Sequence, residues 1–216
     1  MDNRPIGVFD SGLGGLTVVK ALKGLLPNES ILYFGDTARL PYGVKSKDLV
    51  TQYSKQIINF LIKKNAKMIV VACNTATAMA LNTLKNDFKD IPIIGVIEPG
   101  SDQAILTTSN NKIGVIGTIA TINSKAYEQS IKEKDIEVNL ISKACPLFVP
   151  FVEEGLIDGE AINKVAQHYL SSFNNNVDTL ILGCTHYPLL KRVISKNTKQ
   201  ITLIDSASVV AKEAYK

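Results

Sequence analysis

The feature that most constrains the fold is a pair of similar segments, 111 positions apart, each with a cysteine after an apolar, strand-like run. The first reads MIVVACNTAT around Cys73, and the second reads LILGCTHYPLL around Cys184. In both, small hydroxyl or amide residues follow the cysteine and lead into a helical pattern. Backbone N–H groups and the helix dipole stabilise a thiolate at such a strand-to-helix junction. The pair therefore predicts two acid–base thiols that face one substrate.

Short apolar runs alternate with amphipathic helical patterns along the whole chain. The clearest helix covers residues 47–65, where apolar side chains recur on one face. Regular alternation of strands and helices predicts an α/β fold with mainly parallel sheets. The predicted strands are residues 5–9, 31–34, 68–72, 92–96, 113–116, 137–141, 179–182 and 201–204.

The strand pattern repeats at an offset of 107 positions. The tripeptide IGV at residues 6–8 recurs at 113–115, IL at 31–32 weakly matches VN at 138–139, and IE at 97–98 matches ID at 204–205. Each half then contains a glycine-bearing strand, a second strand, a strand before the cysteine and a strand that ends in an acid. We predict two similar three-layer α/β domains related by pseudo-two-fold symmetry. Their active site would lie in the cleft between them, at the carboxyl ends of the strands.

Composition excludes several classes of protein. The chain has 216 residues, of which 45% are hydrophobic and 20% charged, as is ordinary for a globular protein. No apolar run approaches the roughly 20 residues that span a bilayer, and the N-terminus lacks the apolar stretch of a signal peptide. We therefore expect a cytoplasmic protein without a membrane partner. The net charge of +4 comes from scattered lysines, so no nucleic-acid partner is expected.

Cysteine and histidine usage argues against disulfides and metals. An odd count of three cysteines without an export signal indicates reduced thiols. The cysteines form no C-x-x-C pair and the chain has only two histidines, so no metal site is expected.

The first predicted strand leads into the segment DSGLGG, which contains Asp10 and Ser11. Its glycine spacing differs from the dinucleotide-binding pattern G-x-G-x-x-G. The glycines also suit a simple tight turn, but both polar residues lie at the edge of the sheet where ligands bind. This position favours a functional role for Asp10, and anion binding by Ser11 together with exposed amides.

The segment GDTARLPYG follows the second predicted strand and has two interpretations. It is either a loop stiffened by proline or a place where Tyr42 and Gly43 offer backbone N–H groups to a carboxylate. The chain has only three arginines, and none lies in the cysteine segments. A carboxylate substrate would therefore depend mostly on amides, hydroxyls and helix N-termini.

The neighbours of each cysteine distinguish a reactive thiol from a packing residue. A free cysteine is usually a small buried hydrophobe, but Asn74 and Thr75 directly follow Cys73 and need polar partners or a ligand. Cys145, in the apolar segment ACPL, lacks such neighbours, and we interpret it as structural.

Cys184 has the stronger polar surroundings, because Thr185 and His186 follow it and the imidazole can relay protons near the thiol. Glu153 and Glu154 precede a glycine, a pattern typical of a solvated helix end. One of the two can approach His186, and the sequence does not say which.

Taken together, these segments resemble the glutamate racemases of the aspartate/glutamate racemase family. The resemblance covers nearly the whole chain through GVFDSGLGGLTV, FGDTARLPYG, VVACNTATA, IGVIEPG, IGVIGTIATI, CPLFVPFVEEG and LGCTHYPLL. It implies a cofactor-independent interconversion of L-glutamate and D-glutamate by two-thiol proton transfer at Cα. It also implies that the D-glutamate is supplied for peptidoglycan synthesis.

The resemblance also implies site residues. The catalytic thiols correspond to Cys73, which deprotonates D-glutamate, and Cys184, which deprotonates L-glutamate. The supporting catalytic residues correspond to Asp10, Glu153 and His186. The implied substrate-binding residues are Asp10, Ser11, Tyr42, Gly43, Asn74, Thr75, Thr185 and His186.

The family pattern further implies a domain arrangement and an assembly. The first domain would comprise residues 1–97 with 206–216, and the second residues 98–205, commonly in a homodimer. Family chains usually continue several tens of residues further, so the C-terminal part of the first domain is expected to be truncated here.

Three other functions stay open from the residues themselves. One is a two-thiol racemase or isomerase acting on aspartate or a related acid. Another is a non-catalytic amino-acid-binding module with two lobes, against which the paired cysteines count. The third is a single-cysteine hydrolase, which the duplicated thiol disfavours.

Overall fold

The computed structural model describes residues 2–215, and this part of the chain contains eight strands and ten α-helices. The strands are β1 (Ile6–Asp10), β2 (Ile31–Gly35), β3 (Met68–Val71), β4 (Ile93–Gly95), β5 (Lys112–Gly117), β6 (Asn139–Ala144), β7 (Thr179–Gly183) and β8 (Thr202–Asp205). The α-helices are α1 (Leu16–Leu25), α2 (Lys47–Lys63), α3 (Asn74–Asp87), α4 (Ile97–Thr107), α5 (Ile119–Asn123), α6 (Ala126–Lys132), α7 (Phe148–Glu153), α8 (Glu160–Leu170), α9 (Lys191–Asn197) and α10 (Ser206–Tyr215). Two short 3-10 helices are Tyr42–Val44 and Tyr187–Leu190. None of these helices combines the length and apolar character needed to cross a membrane.

The strands form two four-stranded parallel sheets with the same internal order. The first sheet runs β2-β1-β3-β4 and the second runs β6-β5-β7-β8. The predicted α/β fold with two similar parallel-sheet units is confirmed. All eight predicted strands are present, and no predicted bound differs from the observed one by more than three residues.

The largest shift concerns β6, which was predicted at residues 137–141 and lies at Asn139–Ala144. This strand lies at the edge of its sheet, contains only exposed and half-buried residues, and lacks a strong apolar run. Its position is set by pairing with β5, in which Lys112 lies opposite Asn139.

Helices cover both faces of each sheet, because successive strand residues point to opposite sides. In β1, Val8 packs with α1 and α10, whereas Phe9 packs with α2 and α3. In β5, the equivalent Val115 packs with α4 and α6, whereas Ile116 packs with α7, α8 and α9. Each half is therefore a three-layer unit, as predicted.

Strand register confirms that the two cysteine segments are equivalent. Phe9 lies opposite Val71 in the first sheet, and Ile116 lies opposite Leu182 in the second. Each cysteine follows two residues after the β3 or β7 member of these pairs. β5 and β7 therefore repeat β1 and β3 in the structure as well as in the sequence.

The other two predicted repeat matches are wrong. Ile31 pairs with the start of β1, and the residue that pairs equivalently in the second sheet is Leu140 rather than Val138. Likewise, the first-half equivalent of Ile204 is Ile94, so β4 ends in glycine and Glu98 lies within α4. These two-residue matches reflected similar composition only. The register of the strands is set by hydrogen-bond pairing along their whole length.

The chain passes between the halves twice. After β4 it enters α4, which packs against β7, β8 and α6 of the second half. After β8 it enters α10, which packs against α1 of the first half. The two passages lie together, because α4 and α10 also contact each other.

Candidate active site

The segments that follow β1, β2 and β3 in the first half and β5, β6 and β7 in the second surround one cavity of about 350 Å³. Every predicted site residue except Asp10 contributes to its lining, and Asp10 lies fully buried behind it. The lining residues are Ser11, Leu40, Pro41, Tyr42, Gly43, Val44, Cys73, Asn74, Thr75, Thr118, Ile119, Pro146, Val149, Pro150, Glu153, Cys184, Thr185 and His186.

Cys73 occupies the position that precedes the first turn of α3. Its Sγ accepts a hydrogen bond from the backbone N–H of Ala76 at 3.4 Å and lies 3.7 Å from the Oγ of Ser11. Burial and, to a smaller extent, the nearby Asp10 carboxylate together raise the pKa of the thiol to about 12. The two hydrogen bonds act in the opposite direction but do not outweigh burial.

Cys184 follows β7 directly and is also buried. No α-helix begins at this point, because the chain forms the 3-10 helix Tyr187–Leu190 before α9. Burial raises the pKa of the Cys184 thiol far above its ordinary value, although the backbone N–H of His186 lowers it. Burial thus outweighs the hydrogen bonds at both positions, so the pKa of each thiol is raised rather than lowered, contrary to the expectation from a strand-to-helix junction.

His186 connects Cys184 to a carboxylate. Its Nδ1 lies 3.8 Å from the Sγ of Cys184, and its Nε2 hydrogen-bonds the Oε1 of Glu153. When the imidazole is neutral and its N–H is at Nε2, that N–H donates a hydrogen bond to the carboxylate. The unprotonated Nδ1 then faces the thiol and can accept its proton. Both adjacent glutamates are exposed to solvent, and Glu153 is the one that reaches the histidine.

Asp10 links the glycine-rich loop to the second half. Its Oδ2 accepts hydrogen bonds from the backbone N–H groups of Gly12 and Gly15, and its Oδ1 accepts one from the Oγ1 of Thr185 at 3.3 Å. Burial raises the pKa of this carboxyl, while His186, when it is protonated, and the two backbone hydrogen bonds oppose the shift. Cys73 hydrogen-bonds Ser11, whereas Asp10 acts on Cys73 through the charge of its carboxylate, which raises the pKa of the thiol.

Gly14, in the same loop, is pressed against the second half. A Cβ at this position would lie 2.5 Å from the Oγ1 of Thr185 and 2.6 Å from the Nδ1 of His186. These distances are too short for any side chain, so this loop requires glycine where the halves meet.

Tyr42 is held by a buried carboxylate. Its phenol donates a 2.5 Å hydrogen bond to the Oδ2 of Asp36, and the Nε of Arg39 donates to the Oδ1 of the same residue at 2.9 Å. The Arg39 guanidinium also hydrogen-bonds Gln56, and Arg39 does not line the cavity. The phenol of Tyr42 is therefore occupied, and the backbone N–H groups of Tyr42 and Gly43 are the groups here that suit a ligand.

The family model for Asp/Glu/Hydantoin racemase matches residues 16–214 of this sequence. The chain belongs to this racemase family. It is 54% identical to the glutamate racemase of Aquifex aeolicus, over 96% of this chain and 80% of the relative. It is 50% identical to the glutamate racemase of Chlorobaculum tepidum, over 98% of this chain and 79% of the relative.

Solved structures of family members superpose closely on this racemase-family chain. The glutamate racemase of Francisella tularensis, in complex with D-glutamate, has a TM-score of 0.93 and 46% identity. The isoform RacE1 of Bacillus anthracis has a TM-score of 0.96 and 43% identity. Both comparisons cover 100% of this chain and 81% of the other.

A hydroxyl cluster joins the two halves of this racemase-family chain at the cavity. The Oγ1 of Thr75 lies 3.0 Å from that of Thr118 and 3.2 Å from that of Thr121. Neither Thr118 nor Thr121 was among the predicted site residues. The sequence repeat could have indicated Thr118. Ser11 directly follows β1, and Thr118, 107 positions later, directly follows the equivalent strand β5.

Asn74 lines the cavity, but its side chain is occupied by other protein groups. The carboxamide is bonded by Tyr127 and Ser206, which lie in α6 and at the start of α10. A contact between Asn74 and a ligand would therefore come from its backbone, while the carboxamide joins parts of the protein to one another.

Proposed function

We propose that this protein is a glutamate racemase, which interconverts L-glutamate and D-glutamate by proton transfer at Cα between Cys73 and Cys184 without an organic cofactor. One observation carries this proposal: two buried thiols follow equivalent strands of two similar sheets and line the same cavity. Inversion requires a base on one face of Cα and an acid on the other, and two opposed thiols supply both. Membership of the racemase family supports the same chemistry.

The cavity suits a small amino acid with two carboxylates. Its volume of about 350 Å³ lies at the small end of ligand sites. Backbone N–H groups of Tyr42 and Gly43 and the N-terminus of α3 suit one carboxylate, and the hydroxyls of Thr75 and Thr118 suit the other. The Asp10 carboxylate, behind Thr185, supplies negative charge for the α-ammonium group.

In the reaction from D-glutamate, the thiolate of Cys73 removes the Cα proton. The Cys184 thiol then donates its proton to the opposite face of the carbanion and becomes a thiolate itself. The roles are exchanged in the reverse direction. Hydrogen bonds that are already in place stabilise the carbanion, and the burial of both thiols keeps water away from it.

The active thiolate forms in the occupied site. The positive charge of the substrate ammonium favours the charged form of both thiols, because opposite charges lower a thiol pKa. At Cys184, the Nδ1 of His186 accepts the proton while Glu153 holds the imidazole. At Cys73, the N–H of Ala76 donates to Sγ, and the hydroxyl of Ser11, which accepts from the thiol, reverses and donates to Sγ once the thiol has lost its proton.

We also propose the cellular role and the assembly that the family pattern implies. D-glutamate made here would supply peptidoglycan synthesis in the cytoplasm, where the three free cysteines stay reduced. Exposed apolar residues Leu40, Val44 and Ile119 at the cavity mouth suit a homodimer contact. The proposed domains are residues 1–97 with 206–216 and residues 98–205, because α10 packs on α1.

Incubation with D-glutamate in D₂O, without added cofactor, tests the proposed activity. Proton NMR follows loss of the Cα–H signal and circular dichroism follows loss of optical activity. Loss of both supports racemisation, whereas a folded protein that changes neither contradicts the proposal. A parallel incubation with D-aspartate distinguishes a glutamate racemase from an aspartate racemase.

A further inference from the structure

The side chain of Tyr127, in α6, lies between the two cysteine segments. Its phenol donates a 2.7 Å hydrogen bond to the Oδ1 of Asn74, the residue after Cys73. Its ring packs against Gly183, the residue before Cys184, where a Cβ would lie 3.1 Å from the ring carbon Cε2. Tyr127 is only 3% exposed, so both contacts are enclosed by protein. One rigid side chain thus spans the distance from one cysteine segment to the other.

A second path joins the same two segments through the first residue of α10. The Nδ2 of Asn74 donates to the Oγ of Ser206 at 3.3 Å, and Ser206 in turn donates to the carbonyl oxygen of Leu182 at 3.5 Å. Leu182 lies in β7, two residues before Cys184. Both polar ends of the Asn74 carboxamide are therefore bonded to groups that contact the Cys184 segment.

We propose that Tyr127 is a positioning residue that, with Ser206, fixes the separation of the two thiols by holding Asn74. Neither side chain lines the substrate cavity, so their effect acts through the cysteine segments. The inference rests on the proposed two-thiol racemisation. A misplacement of about 1 Å can cost on the order of 100-fold in rate, so small shifts of one segment matter.

The separation of the thiols affects inversion more than exchange. Removal of the Cα proton of D-glutamate and its return on the same face require one thiol, whereas inversion requires the second thiol on the opposite face. When the segments move apart, the carbanion is recaptured more often by the thiol that formed it. The ratio of Cα deuterium exchange without inversion to inversion therefore measures the alignment of the two thiols.

The test compares Tyr127→Phe and Ser206→Ala with two matched controls. Tyr127→Phe keeps the ring on Gly183 and removes only the hydroxyl. The control Tyr169→Phe removes a buried phenol whose bond, from the backbone N–H of Leu147 at 3.4 Å, stays within the second half. The control Ser54→Ala removes a buried hydroxyl that bonds the Val50 carbonyl within its own helix.

Each variant is incubated with D-glutamate in D₂O, and deuterated D-glutamate and L-glutamate are separated on a chiral column and quantified by mass spectrometry. We expect kcat for inversion to fall about tenfold in Tyr127→Phe and Ser206→Ala, with a matching rise in the ratio. Both controls should keep the wild-type ratio, whatever their Tm.

An unchanged ratio in both test variants would overturn the inference while leaving the racemase proposal intact. An equal change in the controls would also overturn it, because a general loss of packing would then explain the effect. Ser206→Ala removes the other end of the network, so the inference stays testable if Tyr127→Phe does not fold. A wild-type chain that neither exchanges nor inverts would overturn the racemase proposal, and this inference with it.

Discussion

Glu153 and His186, 33 positions apart in sequence, form a hydrogen bond between a carboxylate oxygen and Nε2. This contact fixes the imidazole so that its other nitrogen faces Cys184. No comparable histidine lies beside Cys73, because the other histidine, His168, lies in α8 and does not line the cavity. The two thiols thus have different proton acceptors, although they follow equivalent strands.

Replacement of His186 by asparagine should affect one direction of proton removal more than the other. We expect the initial loss of the Cα–H signal of L-glutamate in D₂O to fall on the order of 100-fold, because Cys184 loses its general base. Loss of the D-glutamate signal should fall less. Glu153→Gln should have a smaller effect than His186→Asn, since glutamine keeps an oxygen that accepts the Nε2 proton. Glu154→Gln, at the exposed neighbouring position, is the control, and equal losses for the two enantiomers would contradict this assignment.

Removal of either thiol should stop racemisation. We expect Cys73→Ala and Cys184→Ala each to lower the racemisation rate by about 100-fold to 10,000-fold, the range for loss of a general acid or base. Circular dichroism of a D-glutamate solution measures the rate. Cys145→Ala is the matched control, because Cys145 is equally buried but packs in the core beside α7 and α8. The two-thiol mechanism fails if either of the first two variants racemises at the wild-type rate.

A methyl group at position 14 should push the two halves of the site apart. Gly14→Ala places a Cβ within 2.6 Å of the His186 imidazole, so we expect kcat to fall by about tenfold or more. Gly12→Ala is the control in the same loop, since its Cβ would meet only the Cδ2 of Leu40 at 3.5 Å, an ordinary contact. Steady-state kinetics of both variants measure the difference. Similar kcat values for the two variants would show that the close contact at Gly14 does not matter.

The raised pKa of Cys73 should make stability depend on pH in alkaline solution. The pKa of the thiol rises from 9.0 to about 12 on folding, so the native state binds its proton more tightly than the unfolded state. This contribution is fully present below about pH 9 and is lost as pH rises towards 12. Urea unfolding at about pH 8 and about pH 10 should show a larger fall in free energy of unfolding for the wild type than for Cys73→Ser. Equal falls would indicate that the thiol titrates normally in the folded chain.

The sequence predicted the strands and the equivalence of the two cysteine segments because both depend on short apolar runs. Cys73 and Cys184 were correctly matched, since β3 and β7 carry the strongest runs and lie inside their sheets. The position of β6 and the end of β4 were less accurate, because edge strands and short strands take their register from a partner.

The state of the thiols was not predictable from the residues that flank them. A strand-to-helix junction suggests a stabilised thiolate, but burial depends on the contribution of both halves to the cavity. The same limit explains why Tyr127 was not found, since it lies 54 positions after Cys73 and reaches Asn74 only in the folded chain. Thr118 could have been predicted as a site residue, because it follows its strand at the position that Ser11 has in the first half.

The two adjacent passages of the chain between the sheets determine how the cleft can open. Because α4 and α10 are in contact and each continues from a strand of the other half, the sheets are tied together along one edge. Sliding of one sheet past the other would break that contact, whereas rotation about it would not. Any opening of the cleft that preserves the contact between α4 and α10 would therefore be a rotation about a single axis, and such a rotation keeps the two cysteine segments on facing sides of the cleft.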